Sequence, residues 1–351
     1  MPQPALLPHL LLAVFLLLLS AALTRFMLSR ACIMDIPNAR SSHAQPTPKS
    51  GGVAIVAAFV CGLAGMAWLA GPAVVMQGYF LGFVFAVLLV AAISFYDDVK
   101  HKPFLVKLVA QLVAAGVVMA AGVVLDELTL PWFGRVELGW LGYTLTFLWI
   151  VGLTNAFNFM DGLDGLAGGV AFIAAVFFCF IALGLGSDLV YMVSYILAAG
   201  SLGFLLYNFP PARIFMGDVG SAFLGFTFAV LAVIAARYDQ SHVSFWVMPL
   251  LLGHFIYDTA FTFMRRLLRG EKVTDAHRDH LYQLFSRLGY GHLPVTLFYY
   301  GLSLLQGGAA LWLAHAAGTQ AWLAFVPVVS ALAVYTMLVL RAAAGAEPHK
   351  Q

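Results

Sequence analysis

Apolar residues run in long blocks along this chain, and polar residues collect in short breaks between them. A helix that crosses a bilayer needs about 20 predominantly apolar residues. Eleven blocks reach that length, at 5–24, 51–70, 77–95, 104–124, 139–157, 165–184, 188–207, 220–236, 243–263, 293–314 and 319–340. No repeat of fixed period is visible. No polar break is long enough to fold as a separate soluble domain; the longest are 25–50 and 264–292. The pattern predicts an all-α fold, a single polytopic transmembrane helical bundle over residues 1–351 with about eleven spanning helices.

Composition agrees. Hydrophobic residues make up 62% of the chain and charged residues 10%, against about 25% charged in a soluble domain. The three cysteines, Cys32, Cys61 and Cys179, lack the spacing of a disulfide framework or a zinc site. The first block runs on toward Arg25 without a basic start or a clear cleavage site, so it is expected to remain as a helix rather than be removed as a signal peptide.

Cytoplasmic loops of membrane proteins carry an excess of Lys and Arg. With the N-terminus outside and eleven alternating helices, the inside segments hold all of the 18 basic residues except Arg135 and Arg237. The expected orientation is N-terminus periplasmic and C-terminus cytoplasmic. The same alternation puts Asp97, Asp98, Asp161, Asp164, Asp218, His277 and His280 on the cytoplasmic side. Asp126, Glu127, Glu137, Asp188 and Asp239 fall outside and read as solvated loop charges. Five acids on one face, amid lysines and arginines, describe a site for something anionic and metal-bound. The breaks 25–50, 96–103, 158–164, 208–219 and 264–292 are expected to form it.

Four stretches carry that chemistry. The central one, NAFNFMDGLDGLAGG over 155–169, sets two Asn, two Asp and several Gly in an apolar chain. Polar groups at membrane depth mark functional sites by default, and Asn and Asp oxygens suit Mg²⁺; the bland reading is a glycine-rich turn. PTPKSGG, with Lys49, enters a helix whose N-terminal Ser50, Gly51 and Gly52 N–H groups favour phosphate, or is simply a basic loop. YDDV brings Asp97 and Asp98 together at a helix end, where a metal or a lysine must offset their repulsion. IFMGDVGS places Asp218 at a helix mouth, as an N-cap or a metal ligand. The loop AHRDHLYQLFSRLG adds His277, Arg278 and His280, read as a zinc site, a phosphate clamp or an interfacial helix.

With these motifs in this order, the chain from about Asp35 to His292 resembles the polyprenyl-phosphate N-acetylhexosamine-1-phosphate transferases of the glycosyltransferase family 4 type. Its last loop is more similar to the enzymes that initiate O-antigen than to the phospho-N-acetylmuramoyl-pentapeptide transferase, whose loop carries consecutive histidines. The resemblance implies transfer of an N-acetylhexosamine 1-phosphate from a UDP-sugar to undecaprenyl phosphate, with release of UMP. It implies Mg²⁺, for which Mn²⁺ substitutes, a bacterial inner-membrane location with a cytoplasmic active site, and a homodimer; no nucleic acid partner is expected. By the same resemblance Asn158 and Asp218 match metal ligands. Asp97, with Asp98 and Lys107 beside it in the catalytic group, matches the acidic residue that deprotonates the lipid phosphate as a base, and Asp98 is expected near the metal or Lys107. Phe215 matches a uracil-stacking aromatic and Asp164 a uracil hydrogen-bond partner, with Asp161 and Asn155 in the same nucleotide subsite. Lys49, His277, Arg278 and His280 match phosphate or sugar contacts. UDP-N-acetylglucosamine and UDP-linked 6-deoxy-N-acetylhexosamines both fit as donors. The competing class is a secondary transporter with ion-coupling carboxylates; such sites sit near the bilayer midplane, whereas these carboxylates sit at helix ends.

Overall fold

A computed structural model describes residues 6–30, 33–37, 45–100, 104–238, 243–272, 277–316 and 318–346. Parts of three predicted site loops, at 38–44, 101–103 and 273–276, lie outside the described residues. The chain folds as α1 (Leu6–Ser29), β1 (Met34–Asp35), β2 (Thr47–Pro48), α2 (Gly52–Ala70), α3 (Pro72–Val75), α4 (Gly78–Lys100) and α5 (Phe104–Ala120). It continues with β3 (Glu127–Leu130), β4 (Gly134–Glu137), α6 (Trp140–Phe159), α7 (Leu166–Leu185), α8 (Asp188–Asn208) and α9 (Gly217–Arg237). The last part is α10 (Val247–Leu251), α11 (Gly253–Leu268), α12 (Leu281–Arg287), α13 (His292–His315), a 3₁₀ turn (Gly318–Ala324) and α14 (Phe325–Ala346). The strands form two small antiparallel ribbons, β1 with β2 and β3 with β4.

Among the described residues, nine helices are long and apolar enough to cross a membrane, and the protein is a polytopic helical membrane protein. Two of the expected spans take a different form. The block 104–124 is helical only to Ala120, because the chain turns at Gly122 with φ +96°. The block 243–263 is not one helix: α10 ends at Leu251 and α11 begins at Gly253. Pro249 offers no N–H to the helix ladder, and Gly253 is a poor helix former. His254 Nδ1 and Gln306 Oε1 meet at 2.5 Å beside the break.

The bundle is centred on α9, which is buried along most of its length, and on α8. Small residues let these helices approach their neighbours, as in other membrane interfaces. Ser20 Oγ on α1 donates to Gly200 O on α8 at 2.7 Å. A Cβ on Gly203 would lie 2.4 Å from Leu17 O. One approach matters most for the site. A Cβ on Gly52 would lie 2.3 Å from the Cα of Gly220, so the N-termini of α2 and α9 touch backbone to backbone.

Candidate active site

The site is framed by a backbone clasp. Phe215 N donates to Pro48 O at 2.8 Å, and Gly51 N and Gly52 N donate to Phe215 O and Met216 O, both at 2.9 Å. This corrects one expectation. The Gly51 and Gly52 N–H groups are not free for phosphate; they join the Lys49 loop to the 213–217 turn. Ser50, between Lys49 and Gly51, is buried and takes a left-handed φ of 72°.

Asp98, 3% exposed at the end of α4, accepts from Asp218 N and Val219 N, both at 3.2 Å. A carboxylate here satisfies orphan N–H groups and the positive end of the α9 dipole. The cap of α9 is therefore Asp98, and Asp218 sits in the first turn rather than capping it. Asp98 pairs with Lys49 at 3.4 Å rather than with Lys107, and its bond to Asp218 N sets it beside the candidate metal ligand, the other place expected of it. Lys107, in the first turn of α5, lies 3.0 Å from Asp97 and 2.5 Å from Asp218. On the other side of Asp218, Asn158 Nδ2 donates to its Oδ1 at 2.9 Å and to Ser221 Oγ at 2.8 Å. One cluster thus unites Lys49, Asp97, Asp98, Lys107, Asn158 and Asp218 from five separate segments. Asp161, in the turn after α6, faces the same charges. Burial first, and then Asp218 and Asp98, push its carboxyl up to about 8.

Asn155 is not part of this cluster. One turn deeper on α6, its Nδ2 donates to Gln111 Oε1 at 2.7 Å and to Val151 O at 2.8 Å. Asp164 is engaged on both oxygens, by Ala212 N at 3.0 Å and by His292 Nδ1 at 3.0 Å. Gly165 beside it takes φ +71° and is held by Asn208 and Tyr300. This half of the central motif docks the 208–212 turn and α13 against the site, and Phe215 stands half-buried on the same turn.

The histidine segment forms a third part. The rings of His277 and His280 stack with centroids 5.2 Å apart. Burial, with His280 and Arg266 nearby, holds His277 below the usual histidine range. Arg278, next to them, is half-buried. Tyr282 Oη donates to Phe159 O at 3.0 Å and packs over Gly162, so α12 rests on the turn that follows Asn158. His280 Nδ1 lies 3.1 Å from Asp258 Oδ1.

Sequence reading missed Asp258, His292, Ser221 and Gln111. Asp258 had a readable signal: His254, Asp258, Thr262 and Arg266 recur every four residues in an apolar block and form one buried face of α11. The others are partners chosen across the bundle, which spacing along the chain does not reveal.

Among the described residues no three His, Cys, Asp or Glu side chains converge to hold a metal by themselves. The donor set suits Mg²⁺ all the same, since that ion is usually bound through one or two carboxylates and substrate phosphates. Among the described residues four carboxylates here face two lysines, and burial first, then Asp218 and Asp98, raises the Asp161 carboxyl.

The sequence profile of Glycosyl transferase family 4 matches residues 80–236. A probable undecaprenyl-phosphate N-acetylglucosaminyl 1-phosphate transferase of Bacillus subtilis (strain 168) is 34% identical over 286 residues, covering 81% of this chain and 78% of that protein. A decaprenyl-phosphate N-acetylglucosaminephosphotransferase of Mycolicibacterium smegmatis is 31% identical over 339 residues, covering 87% and 81%. A phospho-N-acetylmuramoyl-pentapeptide-transferase of Moorella thermoacetica is 33% identical over 242 residues, covering 64% and 72%.

Proposed function

This chain belongs to glycosyl transferase family 4, and on that premise we propose that it transfers N-acetylglucosamine 1-phosphate from UDP-N-acetylglucosamine to undecaprenyl phosphate. The products are undecaprenyl-diphospho-N-acetylglucosamine and UMP. The reaction takes place at the cytoplasmic face of the bacterial inner membrane and starts a lipid-linked cell-surface polysaccharide, O-antigen or a similar chain. The sugar is the one carried in the names of two similar relatives. The observation that carries the reading is the Lys49–Asp98 and Lys107–Asp97–Asp218 cluster at one end of a mostly apolar bundle.

An oxygen of the lipid phosphate attacks the phosphorus that carries the sugar. A new P–O bond forms there, the P–O bond to the bridging oxygen breaks, and UMP leaves with that oxygen. Phosphoryl transfer of this kind needs alignment and charge neutralisation more than covalent help from the protein. Lys107 and Lys49 supply positive charge on two sides of the reacting phosphates. Asp97 holds Lys107 in place rather than acting as a base, because the second pKa of a phosphate monoester is about 6 and the acceptor is already largely dianionic. Asp98 fixes the start of α9 and with it Asp218. Asp218 and Asn158 would hold Mg²⁺, which when bound neutralises diphosphate charge. Phe215 offers a ring face to the uracil, and Asp164 keeps the turn that carries Phe215 against α13. Arg278, His277 and His280 approach the diphosphate and sugar from the other side.

The test is turnover by detergent-purified protein with polyprenyl phosphate, Mg²⁺ and a panel of UDP-sugars that includes 6-deoxy-N-acetylhexosamines. UMP release that needs both lipid and UDP-N-acetylglucosamine supports the reading. Release with another sugar alone corrects the donor, and no release with any UDP-N-acetylhexosamine overturns the reaction.

A further inference from the structure

Asp258 is 1% exposed on the inward face of α11, and its carboxylate gathers four donors and the ring of His280. His280 Nδ1 lies 3.1 Å from Oδ1, which also accepts from Leu281 N at 2.9 Å and Thr262 Oγ1 at 3.2 Å. Oδ2 accepts from Tyr282 N and Tyr299 Oη, both at 3.1 Å. Two of these donors are the first free N–H groups of α12, and the ring between them and the catalytic turn is His280. A single carboxylate therefore sets both the helix and the imidazole that precedes it.

We propose that Asp258 is a positioning residue of the transferase: it keeps the proton on His280 Nδ1, turned into the protein, so that Nε2 is the ring atom offered to the donor diphosphate. The proposal rests on the reading of His280 as a diphosphate contact. Three observations support it. His280 has an extended backbone, φ −60° and ψ 145°, at the cap position of α12, so its ring is not carried by the helix itself. Its ring is bracketed by His277 at 5.2 Å, Tyr282 at 5.8 Å and Phe159 at 6.0 Å, which leaves the Nδ1 edge to Asp258. Tyr282 Oη is bonded to Phe159 O, one residue past Asn158, so the unit that Asp258 fixes is tied to the candidate metal site. A neutral imidazole has one N–H and one acceptor nitrogen, and the partner of the first decides the job of the second.

A double-mutant cycle on kcat tests this. Asp258→Asn keeps the shape of the side chain and one acceptor oxygen but removes the charge and the second acceptor. It is expected to lower kcat about tenfold to a hundredfold, the range in which orienting partners of catalytic histidines act. His280→Ala is expected to lower kcat at least as much. The double variant should match His280→Ala, because Asp258 acts through the ring and coupled residues are not additive. Losses that multiply in the double variant overturn the proposal and give Asp258 a purely architectural role. A His280→Ala enzyme with wild-type kcat would instead remove the reading of His280 beneath it. A measurement that does not need the Asp258 variant to fold is ¹⁵N NMR of histidine-labelled wild-type protein, with the His280 signals assigned by their loss in His280→Ala. A proton on Nδ1 supports the assignment, and a ring protonated on Nε2 alone overturns it.

Discussion

The contact between Gly52 and Gly220 can be broken by one methyl group. An alanine Cβ at 52 would lie 2.3 Å from Gly220 Cα, 2.5 Å from Gly220 N and 2.9 Å from Met216 O. Carbon atoms rest at about 3.5 Å or more, so α2 and α9 would have to part by roughly 1.2 Å. All three opposed atoms are backbone, so no rotamer change relieves the clash. Overpacking of this kind costs about 1–3 kcal/mol, and the rigid partners put Gly52→Ala at the upper end. The same displacement would move Lys49 away from Asp98 and weaken the Gly52 N–H bond to Met216 O, 2.9 Å long in the native chain. A misplacement of about 1 Å can lower a rate about a hundredfold. Gly52→Ala is therefore expected to melt earlier in detergent and to release UMP roughly a hundredfold more slowly. Gly116→Ala on α5 is the control, because no atom lies within 4 Å of its added Cβ. There the better helix propensity of alanine, about 1 kcal/mol, should leave stability unchanged or raised. Wild-type melting and turnover for Gly52→Ala would refute the backbone contact on which the geometry of the site depends.

Asp97→Asn and Asp98→Asn should separate cleanly. Asp98→Asn weakens two bonds to a charged acceptor and the pair with Lys49, a loss of about 2 kcal/mol if a charged bond is worth ~1.5–3 and a neutral one ~0.5–1.5, and it should lower the melting temperature as well as turnover. Asp97→Asn should lower kcat with little thermal effect and no recovery at high pH, whereas recovery would restore Asp97 as a general base. Because the folded Asp161 carboxyl stands at about 8, above its ordinary range, protein treated with EDTA should be most stable below that range and lose stability as pH rises through about 8. Asp161→Asn should flatten that slope in melting curves from pH 5 to 9, and an unchanged slope would mean that another group is responsible. In a cysteine-free background, single cysteines at the exposed positions Gln77 and Arg287 should react with an impermeant reagent from opposite sides of the membrane; reaction from one side would overturn the orientation.

Much of the fold was legible in the sequence because a bilayer imposes a length on apolar blocks, and the blocks that became α7 and α8 declared themselves on length alone. The break at Leu252 was not legible, since the block 243–263 is apolar enough overall to hide Pro249 and Gly253. The carboxylates and lysines of the site were legible as residue types at shared helix ends. Their pairing was not. Whether Lys107 meets Asp97 or Asp98 depends on the rotation of α4 about its axis, which no local pattern encodes. The double glycine at 51–52 suggested an anion site, whereas the fold uses it for close approach to α9. Asp258 was overlooked because one acid in an apolar block reads as an interruption until its four-residue spacing from His254, Thr262 and Arg266 is noticed.

In the proposed reaction the lipid phosphate attacks the donor directly, with no covalent intermediate on Asp97 or Asp98. Rigorously delipidated enzyme mixed with UDP-N-acetylglucosamine and Mg²⁺ in a rapid-quench experiment tests that claim most directly. Direct attack should give no UMP above background until polyprenyl phosphate is added, followed by release in step with lipid product. A lipid-free burst of about one UMP per active site would contradict it and point to an acyl-phosphate intermediate.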